Sequence, residues 1–533
     1  MKNWPGRSLF LILALTLYIC RPALAQNLDI IGSTLLQTVT TNVNGSGIRV
    51  AQPEAGLDTN VPAVIWQVNP AVVGQPASRF TYISSGGSAS TFPNSLGSES
   101  GHADSVGGNF YGWGSGVATN VAHVDNYEAN YFYNYVIAAR SPSNINDPVV
   151  NQSFTFGGVS ASEQESIDMN YDNYAAQYNT LLVSAAGNYG ISASVCPPGT
   201  SYNCISVGAY QNGSSYNSLG PTIDNDRCKP DITAPGSETS FSTPYVSGAA
   251  AVLMQAGLRG DGGSNTNAAA DIRTVKALLL NGAVKPADWT NVAPAPLDYR
   301  YGAGMLNVFN SYEQLAGGQQ GYIVSTSVTT NSPHPPTGAT GTVAGLSGWD
   351  FNTNSSSTTT DGVKHYYFNI TNSAGNVPFI ATATLVWNRQ KGKTSINNLD
   401  LFLYDALSSN LVACSTSLVD NVQHLFTPQL SQGRYDLQVW KAGGSGIVST
   451  AETYALAWAF VPPPVLAISA GDSPALTWPL YPAGFLVEAQ TNLTANAWST
   501  NGLPPGFITN GLNSVPLNAT NDVQFFRLRS PDF

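Results

Sequence analysis

Charged side chains are scarce in this sequence. Of its 533 residues only 10% are Asp, Glu, Lys or Arg, while 51 are glycine. Such a composition favours many short strands joined by turns over long solvated helices. The 32 acidic residues outnumber the 21 basic ones, which gives a net charge of −11. An acidic surface argues against nucleic acid or an anionic membrane as a partner.

Long apolar runs are also missing once the N-terminus is passed. The first residues combine two basic side chains with the apolar run SLFLILALTLYIC and end in Ala23, Leu24 and Ala25, the pattern of a signal peptide. We predict that residues 1–25 are removed and that the mature protein is secreted or extracytoplasmic. No later run approaches the ~18 apolar residues of a membrane helix, so we expect no transmembrane anchor.

Cysteine is rare, with five residues in the chain. Cys20 leaves with the signal peptide, and a lipid anchor on it is the weaker alternative because the bulky Ile19 precedes it. In an exported protein a disulfide between Cys196 and Cys204 would close a short loop, and this pair is the first expectation among several connectivities. No Cys or His spacing matches a zinc site, and we predict neither a metal nor another cofactor.

The stretch from Lys229 to Gly248, KPDITAPGSETSFSTPYVSG, places a serine between turn residues and the start of a predicted helix. A helix N-terminus offers free N–H groups and the positive end of the helix dipole to developing negative charge, so Ser240 is the candidate nucleophile. Pro244 fits the first turn of this helix. On the local pattern alone, a serine that merely caps the helix is the stronger alternative.

The same stretch resembles the serine signature of the subtilisin-like serine proteases, the subtilases. The resemblance places the nucleophile on Ser240 and implies an α/β fold with a subtilisin-like, doubly wound parallel sheet. The chain departs from the family at Glu238, because subtilases usually have glycine two residues before the serine. The segment between Gly236 and Thr239 is also abridged.

The run GIRVAQPEAG alternates like a strand and ends in a turn. In subtilases the equivalent strand ends with the aspartate of the triad, and the acid at that place here is Glu54. A carboxylate there would hold the histidine ring in the right tautomer and stabilise its cation. The resemblance therefore implies that Glu54 is the orienting acid, a role that glutamate has in the related sedolisins. Asp58 is the fallback, and an exposed strand-end glutamate is the alternative.

The segment SLGSESGHADSVGGNFYG resembles the histidine motif of the family, His-Gly-Thr-His-Val-Ala-Gly, in its leading His102 and in Val106 and Gly108. His102 is the histidine that stands in the family's order of acid, histidine, asparagine and serine. The resemblance makes it the candidate general base, although a lone histidine is usually structural. We interpret the other histidines as structural residues: His123, His334, His365 and His424.

Two further segments resemble substrate-binding parts of subtilases. VVNQSFTFGG resembles the strand that binds the substrate backbone as an added strand, with Ser153 and Phe154 in the motif positions, and it also suits a core strand. LLVSAAGNYG ends like the strand that presents the asparagine of the oxyanion hole, which implies that Asn188 donates to the oxyanion together with the backbone N–H of Ser240. A turn-forming asparagine beside glycine is the alternative.

The alternation of buried strands and helices predicts a parallel, doubly wound sheet, and residues 26–318 are the expected peptidase domain. Later segments such as FIATATLVWNRQ and NNLDLFLYDA have a period of two. They predict an antiparallel, jelly-roll-like β-sandwich over residues 319–461. The stiff linker VPPPV leads to a small C-terminal β module, residues 465–533.

These motifs together predict a secreted serine endopeptidase that hydrolyses peptide bonds in protein or peptide substrates through an acyl-enzyme intermediate. Two other functions stay open. One is a catalytically impaired, protease-like binding protein. The other is an adhesion protein whose C-terminal β domains attach it to a cell surface or a polysaccharide. The fold alone would not separate them, because function depends on the site.

Overall fold

The computed structural model arranges an α/β domain, a β-sandwich and a small β module in that order along the chain. The residues that it describes are 23–56, 64–210, 217–322, 345–371, 377–469, 474–492, 498–517 and 523–529. Most of the predicted signal peptide and the fallback acid Asp58 lie outside the described residues.

The α/β domain is built on a parallel sheet. The strands of this domain are β1 (Arg49–Glu54), β2 (Ile65–Gln67), β3 (Phe80–Ser84), β4 (Gly87–Ala89), β5 (Ser98–Glu99), β6 (His123–Glu128), β7 (Val149–Gln152), β8 (Leu181–Ala185), β9 (Ile205–Tyr210) and β10 (Ile232–Pro235). The main sheet has the order β10-β9-β8-β7-β1-β6-β3-β4, and only the β3–β4 pair is antiparallel among these described strands. Strands β7 to β10 are buried throughout, as expected when a sheet is covered on both faces.

Helices connect and cover these strands. They are α1 (Ala23–Ile30), α2 (Ser33–Val39), α3 (Gly101–Phe110), α4 (Ala129–Tyr131), α5 (Ala161–Tyr178), α6 (Thr239–Arg259), α7 (Thr266–Ala269), α8 (Ile272–Asn281) and α9 (Val308–Ala316), with a 3-10 turn at Ala77–Arg79 and a π-helical segment at Phe132–Ile137. The central helix α6 is buried along most of its length and packs on β7 to β10. Its Gly248 allows close approach to α3 and the loop after it, because a Cβ there would lie 2.6 Å from Cβ of Val117.

The β-sandwich consists of two antiparallel four-stranded sheets, β11-β18-β13-β16 and β12-β17-β14-β15. Its strands are β11 (Ser347–Ser355), β12 (Gly362–Ile370), β13 (Phe379–Trp387), β14 (Leu399–Asp405), β15 (Leu411–Ser415), β16 (Val422–Leu430), β17 (Gly433–Lys441) and β18 (Ala451–Val461). Alternate residues such as Tyr366, Phe368 and Leu437 meet between the sheets in one apolar core. The predicted β-sandwich is confirmed.

The C-terminal module contains a four-stranded antiparallel sheet, β19-β20-β23-β22, and the pair β21-β24. Its strands are β19 (Ala467–Ser469), β20 (Ala475–Pro479), β21 (Leu486–Gln490), β22 (Phe507–Thr509), β23 (Leu512–Pro516) and β24 (Phe525–Arg529). A small core that includes Leu476, Trp478, Val487 and Val515 holds these strands together. The predicted fold class, which includes a small C-terminal β domain, is therefore confirmed.

The β-sandwich packs directly on the α/β domain. Its strands β13 and β18 lie against α8, and Val386, Ala455 and Ala457 belong to the core of the α/β domain. Polar contacts add to this interface, since Asp420 accepts from the backbone N–H of Cys228 (2.8 Å). None of the described helices combines the length and the apolarity that crossing a membrane requires.

The expected disulfide between Cys196 and Cys204 is wrong, because both cysteines are free thiols. Cys204 is fully buried at the start of β9. The thiol of Cys196 instead points to the carbonyl oxygen of Ser194 (3.7 Å). The Cys204 side chain thus lies in a core, whereas the Cys196 side chain lies in a loop.

Candidate active site

The candidate site lies at the carboxyl end of the parallel sheet. Strands β1 and β7 are neighbours, and the chain continues from β1 to β3 on one side of the sheet but from β7 to β8 on the other side. Open parallel sheets bind ligands in the crevice that forms at such a switch point. Glu54 is the last residue of β1, and Ser153 and Asn188 follow the ends of β7 and β8.

Glu54 and His102 form a direct contact. Nδ1 of His102, in the first turn of α3, donates to Oε2 of Glu54 (2.9 Å). The Glu54 side chain is 1% exposed and the His102 side chain 24% exposed, so the acid is buried beneath a ring that reaches the surface. The extra methylene of glutamate, compared with aspartate, is accommodated at the end of the strand. Nε2 of His102 is the ring nitrogen that is not engaged by Glu54.

Gln52 holds the other oxygen of Glu54 and was not anticipated from the sequence. Its Nε2 donates to Oε1 of Glu54 (2.8 Å) and to the carbonyl oxygen of Ala103 (3.0 Å). Its Oε1 accepts from the hydroxyl of Tyr111 (2.5 Å). The available signal was the spacing, because Gln52 stands two residues before Glu54 and therefore faces the same side of β1.

The electrostatic surroundings act on the His102 imidazole in opposite directions. Burial lowers its pKa, but the hydrogen bond to Glu54 and the negative charges of Glu54 and Glu238 raise it. The net result is a pKa above the ordinary value of 6.5. A more basic imidazole accepts a proton more readily, while it is neutral only at higher pH.

Ser240 is the second residue of α6 and is 9% exposed. Its hydroxyl donates to the carbonyl oxygen of Ser153 (3.2 Å), and the hydroxyl of Ser153 donates to the carbonyl oxygen of Ser240 (2.8 Å). No hydrogen bond joins Ser240 to His102 within the described part of the chain. The next residue, Phe241, contacts the His102 ring with 5.6 Å between ring centroids. The structure therefore brings the serine and the histidine into one neighbourhood without a direct hydrogen bond.

Asn188 is oriented by the first residue of α6. Its Oδ1 accepts from the backbone N–H of Thr239 (2.9 Å) and from the Thr239 hydroxyl (2.8 Å). Because the amide oxygen is bound in this way, the amide N–H groups face elsewhere, and Asn188 is exposed. The first N–H groups of a helix lack partners within it. Thr239 is a second residue that sequence reasoning missed.

Ser153 and Phe154 lie immediately after β7, where the chain has left the sheet. Nδ2 of Asn151 donates to the Ser153 hydroxyl (3.0 Å), and the Phe154 ring contacts Phe156 edge to face with 5.9 Å between centroids. A cavity of about 230 Å³ opens near this segment, beside Tyr189. Its lining is largely apolar and includes Val159, Val195, Pro197 and Ile223.

The remaining described histidines have other partners. His123 contacts Thr81 (2.9 Å) and Asp125 (3.2 Å). Inside the β-sandwich, His365 contacts Asp436 (2.8 Å) and His424 contacts Thr384 (2.8 Å). His334 lies outside the described residues. Among the residues that the structure describes, no group of three His, Cys, Asp or Glu side chains could hold a metal ion.

The comparison with protein families finds a match to the subtilase family over residues 75–304. Among solved structures, the chain is similar to the prenylagaramide maturation protease PagA, with 22% identity, 53% of this chain and 98% of that chain covered, and a TM-score of 0.36. It is also similar to a cold-adapted subtilisin-like serine proteinase, with 20% identity, 50% and 90% coverage and a TM-score of 0.32. A protease of Pseudoalteromonas arctica shows 18% identity, 51% and 91% coverage and a TM-score of 0.32.

Proposed function

We propose, from the premise that residues 75–304 belong to the subtilase family, that this protein is a secreted serine endopeptidase. The observation that carries the proposal is the hydrogen bond between His102 and Glu54 beside the helix N-terminus that bears Ser240. His102, Asn188 and Ser240 lie inside the matched segment, and Glu54 precedes it. The family match thus supports the type of reaction, and the geometry supports the role proposed for each residue.

In the proposed reaction Ser240 Oγ attacks the carbonyl carbon of a peptide bond while Nε2 of His102 takes its proton. The C–N bond then breaks, and His102 gives that proton to the leaving amine. A water molecule, deprotonated by His102, hydrolyses the acyl-enzyme and releases a carboxylic acid. Glu54 holds the imidazole in place and stabilises its cation in both halves of the reaction.

The negative charge that develops on the carbonyl oxygen needs donors that are already in position. The backbone N–H of Ser240 lies in the first turn of α6, and the Nδ2 of Asn188 is the candidate second donor. Thr239 acts as a positioning residue, because its two hydrogen bonds hold the amide oxygen of Asn188. The segment with Ser153 and Phe154 is the proposed binding site for the substrate backbone, and the apolar cavity beside Tyr189 is suited to a substrate side chain.

One observation favours the second candidate, a protease-like binding protein. The Ser240 hydroxyl donates to Ser153 and not to His102. In the proposed reaction the Ser240 side chain leaves this bond and turns its hydroxyl toward His102 through another staggered rotamer. Hydrogen bonds of catalytic groups are often long or misaligned before substrate binds. We therefore retain the enzyme as the first proposal.

Casein hydrolysis by the mature chain tests the proposal. We expect cleavage by the wild-type protein and loss of cleavage in Ser240→Ala, with Ser237→Ala as the matched control because it removes an exposed serine from the loop just before α6. Equal cleavage by wild type and Ser240→Ala would assign the activity elsewhere. No cleavage by a folded wild-type protein would favour the binding protein.

The N-terminal sequence pattern supports the proposed secretion, and release of a shorter mature chain into the medium tests it. The described contacts of the C-terminal sheets do not favour any ligand, so attachment to a cell surface or polysaccharide stays a prediction from the sequence. Deletion of the residues after Pro462, followed by binding assays on cells and polysaccharides, would separate attachment from hydrolysis.

A further inference from the structure

A cavity of about 120 Å³ opens where the α/β domain, the β-sandwich and the C-terminal module meet. The end of α8, the segment after it and helix α9 form one wall, strands β13, β16 and β18 form the second, and the loop between β20 and β21 forms the third. The volume is of the order of the ~150 Å³ apolar cavity that takes up benzene in an engineered protein. The lining is largely apolar and includes Val284, Ile380, Phe426, Val461 and Phe485. The cavity can therefore hold the apolar body of a small molecule.

Lys285 places an ammonium group at this apolar cavity. Its Nζ donates to the carbonyl oxygen of Ala303 (2.5 Å) and lies over the rings of Trp289 and Phe426, 5.2 Å and 5.4 Å from their centroids. No carboxylate in the described ranges forms an ion pair with Lys285. An ammonium has three donors, so these contacts leave it with donors to spare and without an anionic partner. A charge that is removed from water is stable only when a partner of opposite charge compensates it.

Thr382 supplies a second donor beside the ammonium. Its side chain lines the cavity, and its hydroxyl has no hydrogen-bond partner among the residues that the structure describes. On the sandwich sheet Thr382 stands directly across from Phe426, and the ammonium lies over that ring. Residues paired in this way have their Cβ atoms about 5 Å apart. The two donors thus lie on the same side of the cavity, which suits the two oxygens of a carboxylate.

The titratable neighbours of the cavity do not supply the missing anion. Burial and the charge of Lys285 hold the pKa of His424 well below 6.5, and burial raises the pKa of Tyr481 above 10.0. The charge of Glu313 on α9 acts on Tyr481 and not on Lys285. Burial lowers the pKa of Lys285 to about 7, and no carboxylate opposes that shift. An anion bound beside the amine would favour its protonated form.

We propose that this cavity is a binding site for a small carboxylate with an apolar body, such as a branched short-chain acid or an aromatic acid. The carboxylate accepts hydrogen bonds from the Lys285 ammonium and the Thr382 hydroxyl, and the apolar body fills the rest of the cavity. Charge-assisted hydrogen bonds are stronger than neutral ones, and a low local dielectric strengthens them further. None of the lining residues belongs to the candidate active site, so the inference goes beyond the proposed endopeptidase.

Isothermal titration calorimetry with three probes tests the proposal. Benzoate has both the charge and an apolar body, benzamide has the same shape without the charge, and acetate has the charge with almost no apolar body. We expect benzoate to bind at least about tenfold more tightly than either, because only benzoate combines the ion pair with apolar contacts. Above pH 7 the binding of benzoate should take up protons and weaken as the pH rises, because the ligand needs the ammonium form of Lys285. Titrations in buffers of different ionisation enthalpy measure this uptake.

Two variants remove the donors, and a third is the matched control. Lys285→Met removes the charge and should abolish the preference for benzoate over benzamide. Thr382→Val keeps the shape of the side chain and should weaken the binding of benzoate by about threefold. The control Lys391→Met removes an exposed lysine from the loop after β13 and should keep the wild-type affinity. Without ligand, Lys285→Met should unfold at the wild-type temperature or above it, because it removes a half-buried charge that has no anion.

Three outcomes would overturn the proposal. One is equal affinity for benzoate and benzamide, and another is a loss of benzoate binding that is the same in Lys285→Met and Lys391→Met. The third is the absence of benzoate binding at concentrations up to about 10 mM. The same titrations on Ser240→Ala, which lacks the proposed nucleophile, should give the wild-type affinities. The carboxylate site and the endopeptidase can therefore fail separately.

Discussion

Replacing Arg389 with alanine should destabilise the chain more than any exposed charge substitution. This residue follows β13 of the sandwich, yet its buried guanidinium donates from Nε to Asp172 (2.8 Å) and from Nη1 to Glu165 (2.6 Å) on α5. The Asp172 side chain is 2% exposed and that of Glu165 is 34% exposed. The substitution therefore leaves a carboxylate buried at the interface of two domains without its cation.

The expected loss of stability follows from the exposed fractions of the two carboxylates. Removing one partner of a buried ion pair costs about 3–5 kcal/mol, because the other charge stays desolvated. Loss of the partly exposed contact with Glu165 adds less than about 1 kcal/mol. At about 2 °C per kcal/mol for a domain of this size, the first thermal unfolding transition of Arg389→Ala should fall by roughly 6–10 °C. Differential scanning calorimetry measures this shift directly.

Two controls make the Arg389 result interpretable. Glu165→Gln should lower the transition by no more than about 2 °C. The double variant Arg389→Met, Asp172→Asn removes both charges but keeps an acceptor for the buried backbone N–H of Asn203, which donates to Asp172 (2.7 Å), and it should recover part of the loss. An Arg389→Ala protein that unfolds at the same temperature as Glu165→Gln would refute the anchoring of the sandwich on α5.

Three predictions concern the candidate site. Glu54→Gln should lower the pKa of His102, because it removes the charge and the hydrogen bond that raise this pKa. The acid limb of the pH profile of kcat/KM should then move to lower pH. An acid limb at the wild-type pH would show that Glu54 does not act on His102. Asn188→Ala should reduce kcat by ~100- to 1,000-fold with KM little changed, whereas Thr239→Val, which keeps the backbone N–H, should lose less; similar small losses for both in steady-state kinetics would exclude Asn188 as an oxyanion donor. Gln52→Leu leaves the buried Oε1 of Glu54 without its donor and should cost about 1–3 kcal/mol in denaturant unfolding, and a change within error would show that the bond is dispensable.

The fold class could be predicted because its signals are periodic and local. The buried strand β8, LLVSA, is a nearly continuous apolar run, and the sandwich strands alternate with a period of two. Parallel strands present their carboxyl ends at one edge of a sheet, so the ends of β1, β7 and β8 lie at the same edge. The positions of Glu54, Ser153 and Asn188 follow from this topology.

The finer features of the site depend on contacts between distant segments. The motifs do not show whether the Ser240 hydroxyl donates to Ser153 or to His102, because the acceptor depends on the three-dimensional arrangement. Gln52 and Thr239 act through hydrogen bonds to residues that the motifs did name. The disulfide prediction failed for the same reason, because spacing along the chain does not determine where two thiols point.

The packing of the sandwich on α5 and α8 could also not be predicted from the sequence. Arg389 lies in the string LVWNRQ, whose apolar part predicted a strand, but its partners Glu165 and Asp172 are more than 200 residues away. Single buried charges of this kind carry no periodic signal. Their roles become visible only when both sides of the interface are in place.

Labelling with a fluorophosphonate probe, followed by peptide mass spectrometry, tests the central claim that Ser240 is a nucleophile activated by His102 and Glu54. We predict one adduct on Ser240 in the wild-type protein, none at that position in Ser240→Ala, and strongly slowed labelling in His102→Ala. A folded wild-type protein that gains no adduct on Ser240, under conditions that label a known serine protease completely, would contradict the account.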